Sequence, residues 1–262
     1  MWKNYGSALN SYLSFMHMHN MLVEPTANTL SLYTVYMFHH IKPDSVDTYL
    51  SGICHQLEPY FPHIHEIRKS RLAHQTLEGC KHLQGTPTVR KQALMIADLN
   101  TVINCYNNPT HNELLFCIQL CVGFFALMHL GKLTWPDDTD LRDPQKLTKC
   151  NSVILDATSF HFFLPGHKAD KFFEGNTIIL HSNPFPCDPT TLFLSYIQSH
   201  DCLFPLSSPL WRKSDGTVTR TFFMQLLCGF FEKDVGGQSM RAGGATSLVE
   251  NGVAPHIIQG IR

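Results

Sequence analysis

Nine cysteines and sixteen histidines are the side chains of this 262-residue sequence with the widest chemistry open to them. Thiols and imidazoles at short, regular spacing hold metals, and cysteines in even, paired patterns staple small secreted domains. Neither pattern is present. The cysteines stand at 54, 80, 105, 117, 121, 150, 187, 202 and 228, odd in number and without a CxxC pair. Four zinc ligands at finger-like spacing are missing. The close histidine pairs, His17 with His19 and His39 with His40, read as ordinary helix residues. The expectation is a reduced protein with buried thiols, no metal and no cofactor. A second chemistry lies in the basic residues. Lys42, Arg68, Lys69, Arg71, Lys81, Arg90 and Lys91 are candidate contacts to a phosphate backbone, which is where nucleic-acid affinity comes from. Tyr49 could reach a duplex from the same region, or it could be core. Charge balance does not favour a strong electrostatic footprint: residues 1–84 hold six Lys/Arg against six Asp/Glu, and the net charge of the chain is -1.

The elements that would carry these residues follow from periodicity. With 44% hydrophobic and 16% charged residues, the chain can bury a sizeable core and has no disordered tract. The N-terminus shows no signal-peptide pattern, which points to the nucleus or the cytoplasm. The most apolar stretch, 114–130, is interrupted by Gln119, Gly123 and His129, so it reads as a core helix and not a membrane span. Tyr5, Ala8, Leu9, Tyr12, Leu13 and Met16 recur at helical spacing. Three further helices follow, carrying Leu32 to Met37, Val46 to Ile53, and Ile67 through Leu77 to Gly79, each set off by turn residues such as Pro25, Pro43 and Pro59. Four short helices with short turns predict a small bundle. The stretch 84–91, with Gly85, Pro87, Arg90 and Lys91, is the best linker, and the domain boundary falls between 84 and 85. Beyond it the pattern predicts helices over 98–106 and 113–133. Three strands follow at 152–155, 159–164 and 176–180, then helices over 189–199, 219–231, 241–251 and 255–261. The fold class is mainly α with a small antiparallel β-sheet.

Four segments, in order, resemble the tyrosine recombinase (phage integrase) family, nearest to the recombinases of Crypton-like mobile elements. They are Gly123-Phe-Phe-Ala-Leu-Met-His-Leu-Gly-Lys-Leu133, Leu164-Pro-Gly-His-Lys-Ala-Asp170, Gly237-Gln-Ser-Met-Arg-Ala-Gly-Gly-Ala-Thr246 and Gly252-Val-Ala-Pro-His-Ile-Ile-Gln259. The likeness spans nearly the whole chain. It implies a helical core-binding (SAM-like) DNA-clamping domain over 1–84 and a catalytic-domain fold over 85–262. In that family a tyrosine attacks a DNA phosphate, two arginines hold its non-bridging oxygens, a turn lysine protonates the leaving sugar oxygen, and a histidine assists. Double-stranded DNA is the implied partner, with no membrane and no cofactor.

Carried over position by position, Lys168 and Arg241 are retained. His129 stands where the first arginine belongs, and Gln238 stands where the histidine does. Lys132 replaces an acidic residue, reversing a charge. The sequence reaches Arg262 before the tryptophan-containing motif and nucleophilic tyrosine that the likeness implies, and its last tyrosine is Tyr196. Losing one preorganised phosphate-stabilising group costs roughly 3–4 kcal/mol of barrier, and losing the nucleophile closes the covalent route. The expectation is therefore a DNA-binding protein of recombination or integration ancestry that does not cut DNA, monomeric in solution and at most weakly oligomeric on DNA. Two alternatives stand beside it: an active site-specific recombinase whose tyrosine segment is absent from this sequence, and a non-functional mobile-element relic.

Overall fold

The computed structural model of the chain describes residues 2–84, 90–166, 174–205, 209–231 and 234–260. It is mainly helical with a small antiparallel sheet, and it divides into two compact units, 1–89 and 90–262. Residues 85–89, at the centre of the expected linker, lie outside the described residues, as do 167–173, which hold the end of the second recombinase-like segment.

The N-terminal unit is a helical bundle: α1 (Trp2–Met18), α2 (Ala27–Phe38), α3 (Pro43–Leu57), α4 (Ile64–Lys69) and α5 (Arg71–Gln84). Thr26 caps α2, its hydroxyl accepting from the Thr29 amide while the Thr29 hydroxyl accepts from the Thr26 amide. Pro43 at the first turn of α3 supplies a fixed φ where no amide donor is needed. Helix α1 packs on α3 and α2 on α5, around Tyr12, Met16, Leu30, Tyr33, Ile53 and Ile64. Tyr12 and Tyr33 meet edge to face at 5.3 Å. The single fourth helix expected from the sequence is two helices. Ser70 turns extended (ψ 149°), and its hydroxyl accepts from the Ala73 amide, so it starts α5 as it ends α4.

The C-terminal unit is built on α7 (His111–Phe125), preceded by α6 (Ile96–Asn104). Helix α7 is buried on every side, with Phe116, Ile118, Leu120, Cys121 and Val122 all inaccessible. That is the core helix expected of the apolar stretch, and no described helix is long and apolar enough to cross a membrane. A reciprocal cap starts it, in which the Thr110 hydroxyl accepts from the Glu113 amide and the Glu113 carboxylate accepts from the Thr110 amide.

The expected helix over 113–133 is not continuous. Leu127 takes a left-handed conformation (φ 52°), the Leu127 amide donates to the Phe124 carbonyl, and the Met128 amide donates to the Gly123 carbonyl. This is a Schellman end with leucine in the place glycine usually fills, at a conformational cost of roughly 1–2 kcal/mol. Burial of the Leu127 side chain, 3% exposed, offsets it. A one-turn helix, α8 (Leu130–Leu133), follows.

Strands β1 (Ile154–Leu155), β2 (Ser159–Leu164) and β3 (Asn176–His181) form an antiparallel sheet in the order β1-β2-β3, with Phe160 opposite Leu180 and Leu164 opposite Asn176. Alternation sends Phe160, Phe162 and Leu164 inward, where Phe160 stacks on Phe193 of α9 (Pro189–Leu203) at 3.9 Å. A second, two-stranded sheet, β4 (Arg212–Lys213) with β5 (Gly216–Thr217), was not expected from the sequence. Two-residue strands carry no alternation to detect. Helices α10 (Arg220–Phe230), α11 (Ser239–Glu250) and α12 (Pro255–Gly260) complete the unit. All nine cysteines are free, and Cys105, Cys202 and Cys228 are exposed.

Helix α11 lies against α7 through two glycines. A Cβ on Gly243 would stand 1.9 Å from the Leu94 carbonyl oxygen, and one on Gly244 would stand 2.0 Å from that of Phe124. Both obstacles are backbone and cannot rotate away. Gly244→Ala is expected to destabilise the protein by roughly 3 kcal/mol, the upper end for overpacking. Gly229→Ala, on exposed α10 with nothing within 4 Å of the new methyl, should be neutral or stabilise by about 0.5–1 kcal/mol. Urea unfolding of the two variants checks the contrast, and equal midpoints would refute the close-packing account.

Candidate nucleic-acid interface

The close approach of α11 to α7 decides where Arg241 stands. Gly123 of α7 lies under Met240, with a Cβ there 2.6 Å from the methionine sulfur, and Gly237 lies under Leu130 of α8. The first and third recombinase-like segments are thus packed into each other through small residues. Arg241, half-buried at the first turn of α11, is carried to the junction of α7 and α8. His129 sits at that junction as the residue capping α8. The Leu127 turn brings it there: a continuous helix would have given position 129 a different direction.

Arg241 and His129 line one cavity of about 310 Å³, together with Lys132, Asn176, Thr177 and Gly260. Leu127, Met128, Leu164 and Ile178 supply its apolar surface. His129 is exposed at the edge, but the protein around it still pushes its pKa down, first by burial, then by the positive charges of Arg241 and Lys132. The ring is therefore harder to protonate than an ordinary imidazole. A neutral imidazole hydrogen-bonds but does not balance a phosphate, so it cannot replace a guanidinium fork. Lys132 donates to the Gly166 carbonyl at the base of the β2–β3 turn.

Of the four residues expected to converge, the structure brings His129 and Arg241 together. Gln238 is exposed just ahead of α11 and does not border the cavity. Lys168 lies outside the described residues. Asn176 and Thr177 were not singled out from the sequence. Their only signal was position, as the first residues of the strand that leaves the turn. Among the described residues no group of three His, Cys, Asp or Glu side chains gathers as a metal site.

The basic residues of the N-terminal unit divide into two kinds. Arg68 holds Asp47 at 2.7 Å, and Lys81 holds Glu78 at 3.0 Å and Asp47 at 3.8 Å, around a hollow that Lys69 also lines. Such partly exposed pairs are worth only about 0–1 kcal/mol, so a phosphate can compete for them. Lys42, Lys69 and Arg71 are exposed. Tyr49 is half-buried against the bundle core, its hydroxyl 3.4 Å from that of Ser7. In the C-terminal unit Arg90 and Lys91 are exposed at the start of an extended segment whose Gln92 amide donates to the Asp234 carbonyl and whose Leu94 amide donates to that of Ser239.

No protein-family model matches the sequence, and no curated protein matches it. Solved structures do. The XerH site-specific recombinase, in a pre-cleavage complex with its difH substrate, superposes with a TM-score of 0.61 at 12% identity, over 99% of this chain and 71% of that one. The Tn1549 transposon integrase bound to transposon right-end DNA gives 0.59 at 12% identity, over 90% of this chain and 76% of its own. A lambda integrase dimer bound to a COC' core site gives 0.55 at 12% identity, over 98% and 85%. At such identities the likeness carries architecture and not activity, and the architecture is plain: this chain has the tyrosine-recombinase fold.

Proposed function

We propose that the protein binds double-stranded DNA, with recombination or integration ancestry, and holds a backbone phosphate in the α7–α11 cavity without cutting it. The observation that carries this reading is the meeting of Arg241 with His129 in one cavity, from segments more than a hundred residues apart in sequence. The DNA held by the solved neighbours supports the choice of partner. In this reading residues 1–84 act as the clamp, with Lys42, Lys69 and Arg71 on phosphates and with Arg68 and Lys81 exchanging carboxylates for phosphates. Arg90 and Lys91 add contacts at the start of the C-terminal unit. The nucleus or cytoplasm suits such a partner.

The chemistry favours holding over cutting. The planar fork of Arg241 fits two phosphate oxygens. A second fork at 129 is replaced by a neutral ring, and Gln238 does not titrate. Neither tyrosine of the C-terminal unit borders the cavity. Tyr196 is fully buried, donating to the Leu210 carbonyl at 2.6 Å and accepting from the Arg212 amide at 3.2 Å, and burial pushes its pKa well up. Tyr106 packs on Phe230, and burial raises its pKa to about 12. A tyrosine so placed is neither near a phosphate nor poised to ionise.

Fluorescence anisotropy on a labelled duplex between roughly 50 and 200 mM salt tests the binding. Affinity should fall steeply with salt, Arg241→Ala should lower the salt slope by about one, and Arg90→Ala with Lys91→Ala should lower it further. No binding at the lowest salt would refute the reading and favour a relic without function. For the absence of cutting, a nicked suicide substrate should give no covalent adduct with this chain, nor with His129→Arg and Gln238→His combined. An adduct mapped by mass spectrometry to any residue would overturn that part and identify the nucleophile. Protonation of His129 adds charge to the cavity, so duplex affinity should rise as pH falls below the ordinary imidazole range. In His129→Gln that rise should shrink.

A further inference from the structure

Asp47 of α3 stands between two cations that come from two other helices. Its Oδ1 accepts from the Arg68 guanidinium of α4 at 2.7 Å, and its Oδ2 lies 3.8 Å from the Lys81 ammonium of α5. Each oxygen thus faces its own cation, as the two non-bridging oxygens of a phosphodiester would. Both cations keep a second anchor. The same Arg68 nitrogen donates to the Asp47 backbone carbonyl at 3.3 Å, and Lys81 donates to Glu78 at 3.0 Å. The bond to Glu78, followed by the field of Asp47, raises the Lys81 pKa, so the ammonium stays charged. Arg68 and Lys81 are 26% and 31% exposed and Asp47 is 41% exposed, so an anion from outside can reach all three. They line a hollow of about 370 Å³ whose apolar wall includes Leu50 and Leu77.

We propose that the Asp47 carboxylate occupies a phosphate site of the N-terminal unit, and that through it the chain limits its own hold on DNA. The assignment rests on the DNA-binding reading above and deepens it, by naming what a phosphate must displace. Displacement gains little net. The phosphate acquires Arg68 and Lys81, but the freed carboxylate loses both and takes up a counterion in place of the one that the DNA released. Binding at this site is thus nearly independent of salt while the carboxylate is present. Without it, the Asp47 backbone carbonyl and Glu78 still hold the two cations in place, and the site stands open. This separates a competing carboxylate from one that only ties α3 to α4 and α5, whose loss would weaken the bundle and tighten nothing.

The full chain is compared with Asp47→Asn, Glu66→Gln and the pair Asp47→Asn with Arg68→Met. Glu66 lies on α4 outside the hollow, 3.5 Å from His63, and controls for the loss of one negative charge. Anisotropy on the labelled duplex should show Asp47→Asn binding about five- to tenfold tighter at a given salt, with a slope steeper by about one unit. Glu66→Gln should change neither, and Arg68→Met should abolish the gain. A second readout needs no DNA. The Arg68 side-chain N–H resonances should shift saturably with inorganic phosphate, at concentrations about five- to tenfold lower in Asp47→Asn than in the native chain. A third needs no variant to fold: in the native chain the Asp47 carboxyl carbon and the Arg68 N–H should shift together as duplex is added. A lower melting temperature with unchanged affinity and phosphate response in Asp47→Asn would assign the carboxylate a purely structural role and sink the proposal. An equal gain in Glu66→Gln, or native resonances that stay in place as duplex binds, would sink it too. If the native chain binds duplex and Asp47→Asn gains nothing, DNA binding stands and the Asp47 assignment fails. If neither binds duplex while Asp47→Asn still gains phosphate affinity, DNA binding fails and the anion site stands.

Discussion

The contact between α11 and α7 is the constraint on which the C-terminal unit depends. It is made by removing atoms. Gly243 and Gly244 let the backbone of one helix rest on the carbonyls of another segment and of a second helix, closer than any side chain would permit. Because α7 is the most buried helix of the unit, anything seated on it this tightly inherits its rigidity. Arg241 leads directly into those glycines, so its guanidinium is positioned by the core and not by a loop. The Leu127 turn performs the same service on the other side. A buried leucine in a conformation it does not favour marks strain held in place by packing, and the residue it redirects is His129.

The cavity that results differs in charge from the hollow of the N-terminal unit. The chain is close to neutral overall, and where cations gather on the N-terminal unit they meet carboxylates. Where α8, β3 and α11 meet, the described lining residues include Arg241 and Lys132 and no acid. In the proposed DNA-binding reading, local placement and not net charge is what would hold a polyanion. A formal balance of -1 concealed it, since counting residues does not show which of them face one another.

Much of this was legible in the sequence, for physical reasons that also mark where legibility ended. Helices with apolar stripes or turn residues at their starts, such as α7 and α3 with Pro43, announced themselves, and β2 and β3 did so as short strand-like runs between turns. The breaks did not. Ser70 splits one helix, and Leu127 ends another at a residue type that rarely takes φ above zero, so neither leaves a mark in periodicity. The pairing of His129 with Arg241 came from resemblance alone, because nothing in either segment's local pattern says that the two meet. The second hairpin was too short to show. Asn176 and Thr177 gain their interest only from what lies across the cavity.

The four glycines at the junction are unequal in what evolution can do with them. At Gly123 and Gly237 an added methyl meets the side chains of Met240 and Leu130, which a second substitution could shorten. A lineage can drift through those positions by compensated steps. At Gly243 and Gly244 the nearest obstacles are carbonyl oxygens, and no change of side chain elsewhere removes an oxygen from the backbone. Loss of either would be close to irreversible. A descendant of this chain can therefore change the polar residues of the cavity long before it can change the two residues without side chains that hold the cavity's arginine in place.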